Sequence, residues 1–192
     1  EAAQPPWAAR TVEERGRILR RIAQLLERDR EDVAAIVSAE TGKSPKDAGG
    51  ETDGAIELGY FIAGEGRRFY GRTMPSAVPD RQAMTVRQPL GVAGLIIAAN
   101  TPIANVAWKV FPALLCGNAA VLKASEDGPA PLLEFARLVH EAGFPRGAVN
   151  IVTGFGDPCG STLTSHPLVS RVAFTGGPSP ARPVVRNTAT HL

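Results

Sequence analysis

Residues 89–156 read PLGVAGLIIAANTPIANVAWKVFPALLCGNAAVLKASEDGPAPLLEFARLVHEAGFPRGAVNIVTGFG, and VSRVAFTGG follows at residues 169–177. Four short apolar runs punctuate this stretch, at 92–98, 119–122, 149–152 and 172–174. None alternates apolar with polar residues, and strands buried on both faces are written this way, so the runs predict a parallel sheet. Helix-like segments lie between them, at about 103–115, 131–142 and 158–165, with Gly117-Asn118 and Gly143 as helix stops. Strand and helix in regular alternation predict an open, doubly wound α/β layer.

Upstream the period changes. Thr11 and Glu14 form a capping box, and Ile18, Leu19, Ile22, Leu25 and Leu26 recur at helical spacing behind it. Val33, Ile36 and Val37 continue the stripe until Thr41-Gly42-Lys43 ends it. A second helical stretch, 47–70, sets Ile56, Tyr60 and Phe61 toward a core. Residues 71–80, rich in Gly and Pro, read as a connector. From 82 to 88, Met84 and Val86 alternate with Ala83, Thr85 and Arg87, as in a half-exposed strand with no obvious partner. An unpaired edge of that kind can recruit another chain. Three regions result: helices over 1–70, connector and strand over 71–88, and a partial nucleotide-binding layer over 89–192.

Composition excludes several roles. Of the 192 residues, 44% are hydrophobic and 21% charged, which is a globular balance. A net charge of +2 argues against a nucleic-acid or anionic-membrane partner. The longest apolar run, 92–99, is too short to span a bilayer, and the start EAAQPPWAAR has no basic-then-apolar signal pattern. Cys116 and Cys159 have neither pairing nor metal-ligand spacing, so no metal is expected, and a reducing, cytoplasmic setting is. Cys116 reads as buried and inert. Cys159, at a helix start, is a candidate thiol with no His or Glu placed to serve it. His140 and His166 read as surface residues, and His191 sits at the chain end.

In open parallel sheets ligands bind at the carboxyl ends of the strands. That rule selects four turns: 98–102, 123–129, 153–159 and 175–180. Lys123 and Glu126 fall on the second; they fit an ammonium and a carboxylate contacting ribose hydroxyls, and equally an exposed Lys with a helix-opening Glu. Gly154, Gly156 and Gly160 miss the dinucleotide glycine spacing by one residue and also fit an ordinary strand-to-helix turn. Thr175-Gly176-Gly177 would let amides of the following helix approach a pyrophosphate, with Pro180 near its first turn. Asn100 has an amide suited to a developing oxyanion, although an Asn in a turn is more often a turn-former. Trp108 and Lys109, in the next helix, fit a core aromatic and a solvated lysine as well as site residues.

Taken together these segments resemble the NAD(P)-dependent aldehyde dehydrogenase superfamily. Glu40-Thr-Gly-Lys43 with Glu51 is similar to its ETGK segment, and Pro89-Leu-Gly-Val92 with 96–102 to its P-x-G-V…WN-x-P block. Pro112-Ala-Leu-Leu-Cys-Gly-Asn118, Lys123-Ala-Ser-Glu126, Glu141-Ala-Gly-Phe-Pro145 and Phe174-Thr-Gly176 follow in family order. The resemblance implies Asn100 as oxyanion contact, Trp108 on the substrate tunnel and Lys109 near the active-site water path. It implies cofactor contacts at Ile97, Ala98, Lys123, Ser125 and Glu126, and at Gly156, Phe174, Thr175, Gly176 and Gly177. Glu126 favours NAD, since its charge repels a 2′-phosphate; NADP is the alternative. A small-molecule aldehyde substrate and a homo-dimer or homo-tetramer are implied for the full-length enzyme too. Ala99, Gly177 and Ala181 depart from the family's Trp, Ser and Gly, and Pro183 predicts a shortened or distorted last helix. The family's catalytic Glu and nucleophilic Cys would come after Leu192, so these 192 residues alone are expected to give no turnover. The rival expectation is a non-catalytic nucleotide-binding module that assembles with full-length subunits.

Overall fold

A computed structural model describes residues 1–189; His191 and Leu192 lie outside the described residues. The chain opens with four helices, α1 (Gln4–Ala8), α2 (Val12–Arg28), α3 (Arg30–Thr41) and α4 (Pro45–Gly64). The capping box is formed: the Glu14 amide donates to Thr11 Oγ1 at 3.2 Å, and the Thr11 amide donates to Glu14 Oε2 at 2.7 Å. The stripe expected to run unbroken to Val37 is interrupted at Asp29, whose carboxylate pairs with Arg28 and Arg137. Gly42, at φ 73°, closes α3 in the left-handed region that favours glycine.

Helix α4 starts at Pro45 and ends at Gly64, followed by one tight turn, Glu65–Arg68. Ile56 is buried as expected, but Phe61 is 59% exposed. The reason is angular. Residue 60 lies one turn from residue 56 on the same face, whereas residue 61 is rotated well away from it. Gly59 marks the closest approach in this layer. A Cβ there would sit 2.9 Å from Phe111 Cζ and 3.0 Å from the Ala23 Cβ.

Strands β1 (Thr73–Pro75) and β2 (Gln82–Met84) then form an antiparallel ribbon, with Met74 opposite Ala83. This corrects two expectations. The segment read as connector supplies a strand, and the strand at 82 ends at Met84 and has that partner. Three exposed residues carrying a Pro leave little hydrophobic period to read.

The remaining elements are β3 (Val92–Ile96), α5 (Pro102–Leu115), β4 (Ala119–Lys123), α6 (Ala130–Glu141), β5 (Val149–Val152), α7 (Ser161–Ser165), β6 (Val169–Phe174) and α8 (Pro178–Thr188). The four strands are parallel in the order β5-β4-β3-β6. Central β3 is buried throughout and β4 nearly so, but β5 and β6 are partly exposed, against the expectation of strands buried on both faces. They are the outer strands of the described sheet. An irregular turn, Gly156–Gly160, occupies the start of the segment expected to be helical from 158. Pro183 does not shorten the last helix, which runs on to Thr188; it removes one helical hydrogen bond and no more.

Ala93, Leu95 and Ile97 turn to one side, into a core shared with α5, α6 and the four N-terminal helices. Ile96 turns to the other, against Leu163 and Val169, with Val184 of α8 packed alongside. Helices therefore cover both faces, as a doubly wound sheet requires. The N-terminal helices also hold the end of α5: Trp7 Nε1 donates to the Leu114 carbonyl at 3.0 Å, Arg15 Nε to Leu115 at 2.9 Å and Gln4 Nε2 to Gly117 at 3.0 Å. Gly59→Ala is expected to destabilise the chain by about 1–3 kcal/mol, because Phe111 and Ala23 are both buried and cannot yield; urea unfolding measures it, and an unchanged midpoint would disprove the tight contact.

Candidate functional site

From central β3 the chain winds outward through β4 to β5, then returns across β3 to place β6 on its other side. The direction of winding reverses between β3 and β6, and ligand crevices open at such a switch point. A cleft of about 720 Å³ lies there. After β3 it is lined by Ile97, Ala98 and Ala99; after β4 by Ser125, Glu126 and Asp127, with Lys123 at that strand's end. Gly156 comes from the turn after β5, and Phe174, Thr175, Gly176 and Gly177 from the end of β6. All ten residues expected to contact a cofactor thus face one cleft.

The strongest electrostatic feature is the pair at β4. Lys123 is only 4% exposed, and its Nζ donates to Glu126 Oε2 at 2.8 Å and to the Ala124 carbonyl at 2.9 Å. The hydrogen bond from Lys123 holds the Glu126 carboxyl below the usual carboxylate range, so it stays charged. The reading of Lys123 as a solvated surface residue is overturned. A buried ammonium and a half-exposed carboxylate side by side offer a donor and an acceptor to vicinal hydroxyls.

The glycine turns differ in their reasons. Gly154 has φ 150°, and a Cβ there would lie 2.9 Å from that of Cys159, so backbone shape and crowding both require glycine. At Gly156 an added Cβ would meet nothing within 4 Å, which leaves that wall open to a ligand. At Gly176 it would strike the Phe174 ring at 2.5 Å. Helix α8 begins with Gly177 as its N-cap and Pro178 and Pro180 in its first turn. Neither proline has an N–H, so Ser179 is the one amide among the first three helical positions that can meet an anion. The expected anion site at this helix start is therefore leaner in donors than helix geometry alone suggests.

Lys109 joins two walls. Its Nζ donates to the Ile96 carbonyl at 2.9 Å, to Thr175 Oγ1 at 2.5 Å and to Asn105 Oδ1 at 3.3 Å. It is half-buried, not solvated, and burial lowers its pKa to about 8. Asn100, exposed in the turn before α5, and Trp108, 67% exposed on α5, lie outside the cleft lining. Cys116 is half-buried, with its thiol pKa raised by that burial, and Cys159 is half-buried as well. Neither lines the cleft. His140 and His166 are exposed. Among the described residues, no group of three or more His, Cys, Asp or Glu could hold a metal, and no helix is long and apolar enough to cross a membrane.

Two sets of contacts were not foreseen from the sequence, although Glu40, Lys43 and Glu51 stood in a recognised motif. The far wall is built by Thr164 of α7 and by Val184 and Asn187 of α8, with Asn187 Nδ2 donating to Thr164 Oγ1 at 2.9 Å. Helix-borne hydroxyls and amides carry no local pattern that distinguishes them. The second is a set of carboxylate contacts from the N-terminal helices. Glu51, its side chain 4% exposed, accepts from the amides of Ile103 at 2.9 Å and Ala104 at 3.2 Å, and pairs with Lys43. Glu40 Oε2 accepts from the Ala130 amide at 3.2 Å.

Fold and cleft together define a doubly wound α/β layer braced by helices, with an open cleft at its switch point. The comparisons narrow this. The sequence matches the aldehyde dehydrogenase family over residues 1–192, and the chain belongs to that family. It is 44% identical over 186 residues to (Z)-2-((N-methylformamido)methylene)-5-hydroxybutyrolactone dehydrogenase of Acinetobacter baylyi, covering 97% of this chain and 38% of that protein. Rat aldehyde dehydrogenase 1A1 is 42% identical over 172 residues, covering 89% and 34%. The fold superposes with a TM-score of 0.96 on a Staphylococcus aureus betaine aldehyde dehydrogenase point mutant in complex with NAD+, at 31% identity, over 100% of this chain and 40% of that one. An E. coli NADP-dependent enzyme gives 0.96 at 36% identity, over 98% and 39%. The chain thus spans about two fifths of the length of these relatives.

Lysine 109 yields a pH prediction. Because its folded pKa lies below the ordinary 10.5, the unfolded chain binds more protons between about 8 and 10.5, and this group makes stability rise with pH across that window. Lys109→Met should remove that rise, as read from urea midpoints between pH 7.5 and 10; parallel profiles for wild type and variant would refute it.

Proposed function

We propose that this chain is the dinucleotide-binding part of an aldehyde dehydrogenase, which in its complete form oxidises an aldehyde to a carboxylic acid with NAD or NADP. The observation that carries the reading is the buried Lys123–Glu126 pair at the carboxyl end of β4, facing the same cleft as the 175–177 turn. Both relatives of known structure compared above are described by their dinucleotides, one with NAD+ and one as NADP-dependent.

The donor set suits such a ligand. Lys123 and Glu126 would hold the adenosine ribose, Ile97, Ala98 and Phe174 would line the groove, and Ser125 and Gly156 would border it. Thr175, Gly176 and Gly177 would face the pyrophosphate, with the Ser179 amide supplementing them. A bound dinucleotide supplies a hydride acceptor. Asn100, in the turn opening α5, would donate to the oxygen of the aldehyde adduct, and Trp108 would wall the substrate path. Lys109, held against Ile96 and Thr175, would fix the two turns between which the nicotinamide end lies. With Glu126 ionised beside Lys123, the site favours NAD over NADP, since a 2′-phosphate would meet the carboxylate. The ribbon of β1 and β2, with Met74 and Met84 exposed, would be the face on which copies associate into a dimer or tetramer. The two unpaired thiols agree with a cytoplasmic setting.

Neither Cys116 nor Cys159 faces the cleft, so the 192 residues alone should bind NAD without oxidising aldehydes. Calorimetry with NAD and an NADH absorbance assay over several aldehydes test this, and sustained NADH production would refute it. Glu126→Gln should raise NADP affinity relative to NAD by about tenfold, on the scale of roughly 1.4 kcal/mol for one relieved charge contact. An unchanged ratio would remove Glu126 from the ribose site.

A further inference from the structure

The segment from Glu40 to Glu51 bears no group that lines the cleft, yet the carboxylates at its two ends reach the first turns of the two helices that leave it. Helix α5 begins directly after the turn carrying Ala98 and Ala99, and α6 after the turn carrying Ser125, Glu126 and Asp127. Glu51 accepts from two amides of the first, and Glu40 from one amide of the second. Each carboxylate meets backbone N–H groups that a helix cannot satisfy itself, at the end where the helix dipole favours negative charge.

The base of this device is itself fixed. Ser38 Oγ donates to the Lys43 carbonyl at 2.7 Å, Thr41 Oγ1 donates to the Val37 carbonyl at 2.6 Å, and Gly42 takes the left-handed conformation that turns α3 into α4. Lys43, carried on that turn, pairs with Glu51. The two carboxylates therefore project from one rigid corner, α3 supplying one and α4 the other. No side chain of α5 or α6 caps its own helix.

We infer that Glu40 and Glu51 are positioning residues for the dinucleotide cleft: from one helical corner they set the turn after β4 and the turn after β3, and so the nucleotide affinity. This rests on the cofactor reading above. Glu40 governs the half of the cleft that holds Glu126, and Glu51 the half that leads to Asn100. An uncapped turn samples other conformations, and apparent affinity falls with the fraction that remains competent.

The test uses the 192-residue chain with two probes, NAD and 5′-AMP, the latter reaching only the adenosine half. Glu40→Ala should weaken both about three- to tenfold, the scale of one lost charge–helix contact. Glu51→Gln, unlike a Gln at position 40, sets a donor NH2 against the Lys43 ammonium or the two amides, so it should weaken NAD by a similar factor and leave 5′-AMP within twofold. Glu40→Gln, which keeps an acceptor oxygen, should restore most of the 5′-AMP affinity, whereas Glu40→Asp, one methylene too short to reach the Ala130 amide, should weaken both probes and serves if the alanine variant does not fold. Gly59→Ala controls for stability, since it loosens the core without touching the cleft and should leave both affinities unchanged in the folded protein. If folded Glu40→Ala, or Glu40→Asp in its place, binds 5′-AMP as wild type does while Glu51→Gln leaves NAD unaffected, the inference is overturned and the cofactor reading stands. If Gly59→Ala weakens binding as much as Glu40→Ala, the effect is general stability and the inference is overturned as well. A wild-type chain that binds neither probe overturns the cofactor reading, and this inference with it.

Discussion

Helix α5 is capped at both ends from outside itself, and the arrangement of the two layers depends on that. At its start the Glu51 carboxylate accepts from the Ile103 and Ala104 amides; at its finish Trp7, Arg15 and Gln4 donate to the carbonyls of Leu114, Leu115 and Gly117. A helix leaves these groups unsatisfied, and burying them without partners would cost a few kcal/mol each by ordinary desolvation estimates, about 1–3 per group. Sliding α5 along its axis would break contacts at both ends together. The helical layer consequently acts as a jig for the sheet, and α5 carries Lys109 to a fixed height beside the ends of β3 and β6.

The cleft inherits its order from that fixture. Its walls come from turns far apart in sequence, and short-range chemistry ties them together in pairs: Lys109 links the β3 turn to Thr175, Lys123 links the end of β4 to Glu126, and Asn187 links α8 to Thr164 on α7. Asn118 adds a fourth tie outside the cleft, accepting from the Leu90 and Gly91 amides where the chain enters β3. Apart from the local Lys123–Glu126 pair, each tie crosses between elements whose relative placement a sheet register alone does not set. Two lysines, Lys123 buried and Lys109 half-buried, recur in these ties, and both sit where a carbonyl and a side-chain oxygen can share the ammonium.

Much of this was legible in the sequence because the signals were local. The apolar runs at 92–98 and 119–122 became the two central strands, since only strands covered on both faces are written without polar interruption. The Thr11–Glu14 box formed because its partners are three residues apart. The turns that wall the cleft followed from one topological rule about strand ends, which needs no side-chain detail, while the individual residues came from the family resemblance. What escaped reading was nonlocal or angular. Phe61 was misplaced by about one helical step from the core face. Strand β1 was missed because an exposed three-residue strand writes no period. Glu40 and Glu51 gave no sign of their partners, which lie 90 and 52 residues further on. Asp29 broke a helix whose apolar pattern ran straight through it, because the break is dictated by arginines on two elements rather than by the stripe.

The clamp on α5 also dictates an order of events during synthesis. Trp7 waits for a carbonyl 107 residues downstream, and Gln4 for one 113 residues away. Until Gly117 has left the ribosome, the helices made first have an apolar flank with nothing to close on. Contacts of such long sequence separation are slow to form, and flanks left open attract other chains. The amino-terminal helices therefore wait longest for their partners, although in the finished molecule Trp7, Leu19, Ile22 and Leu26 are fully buried.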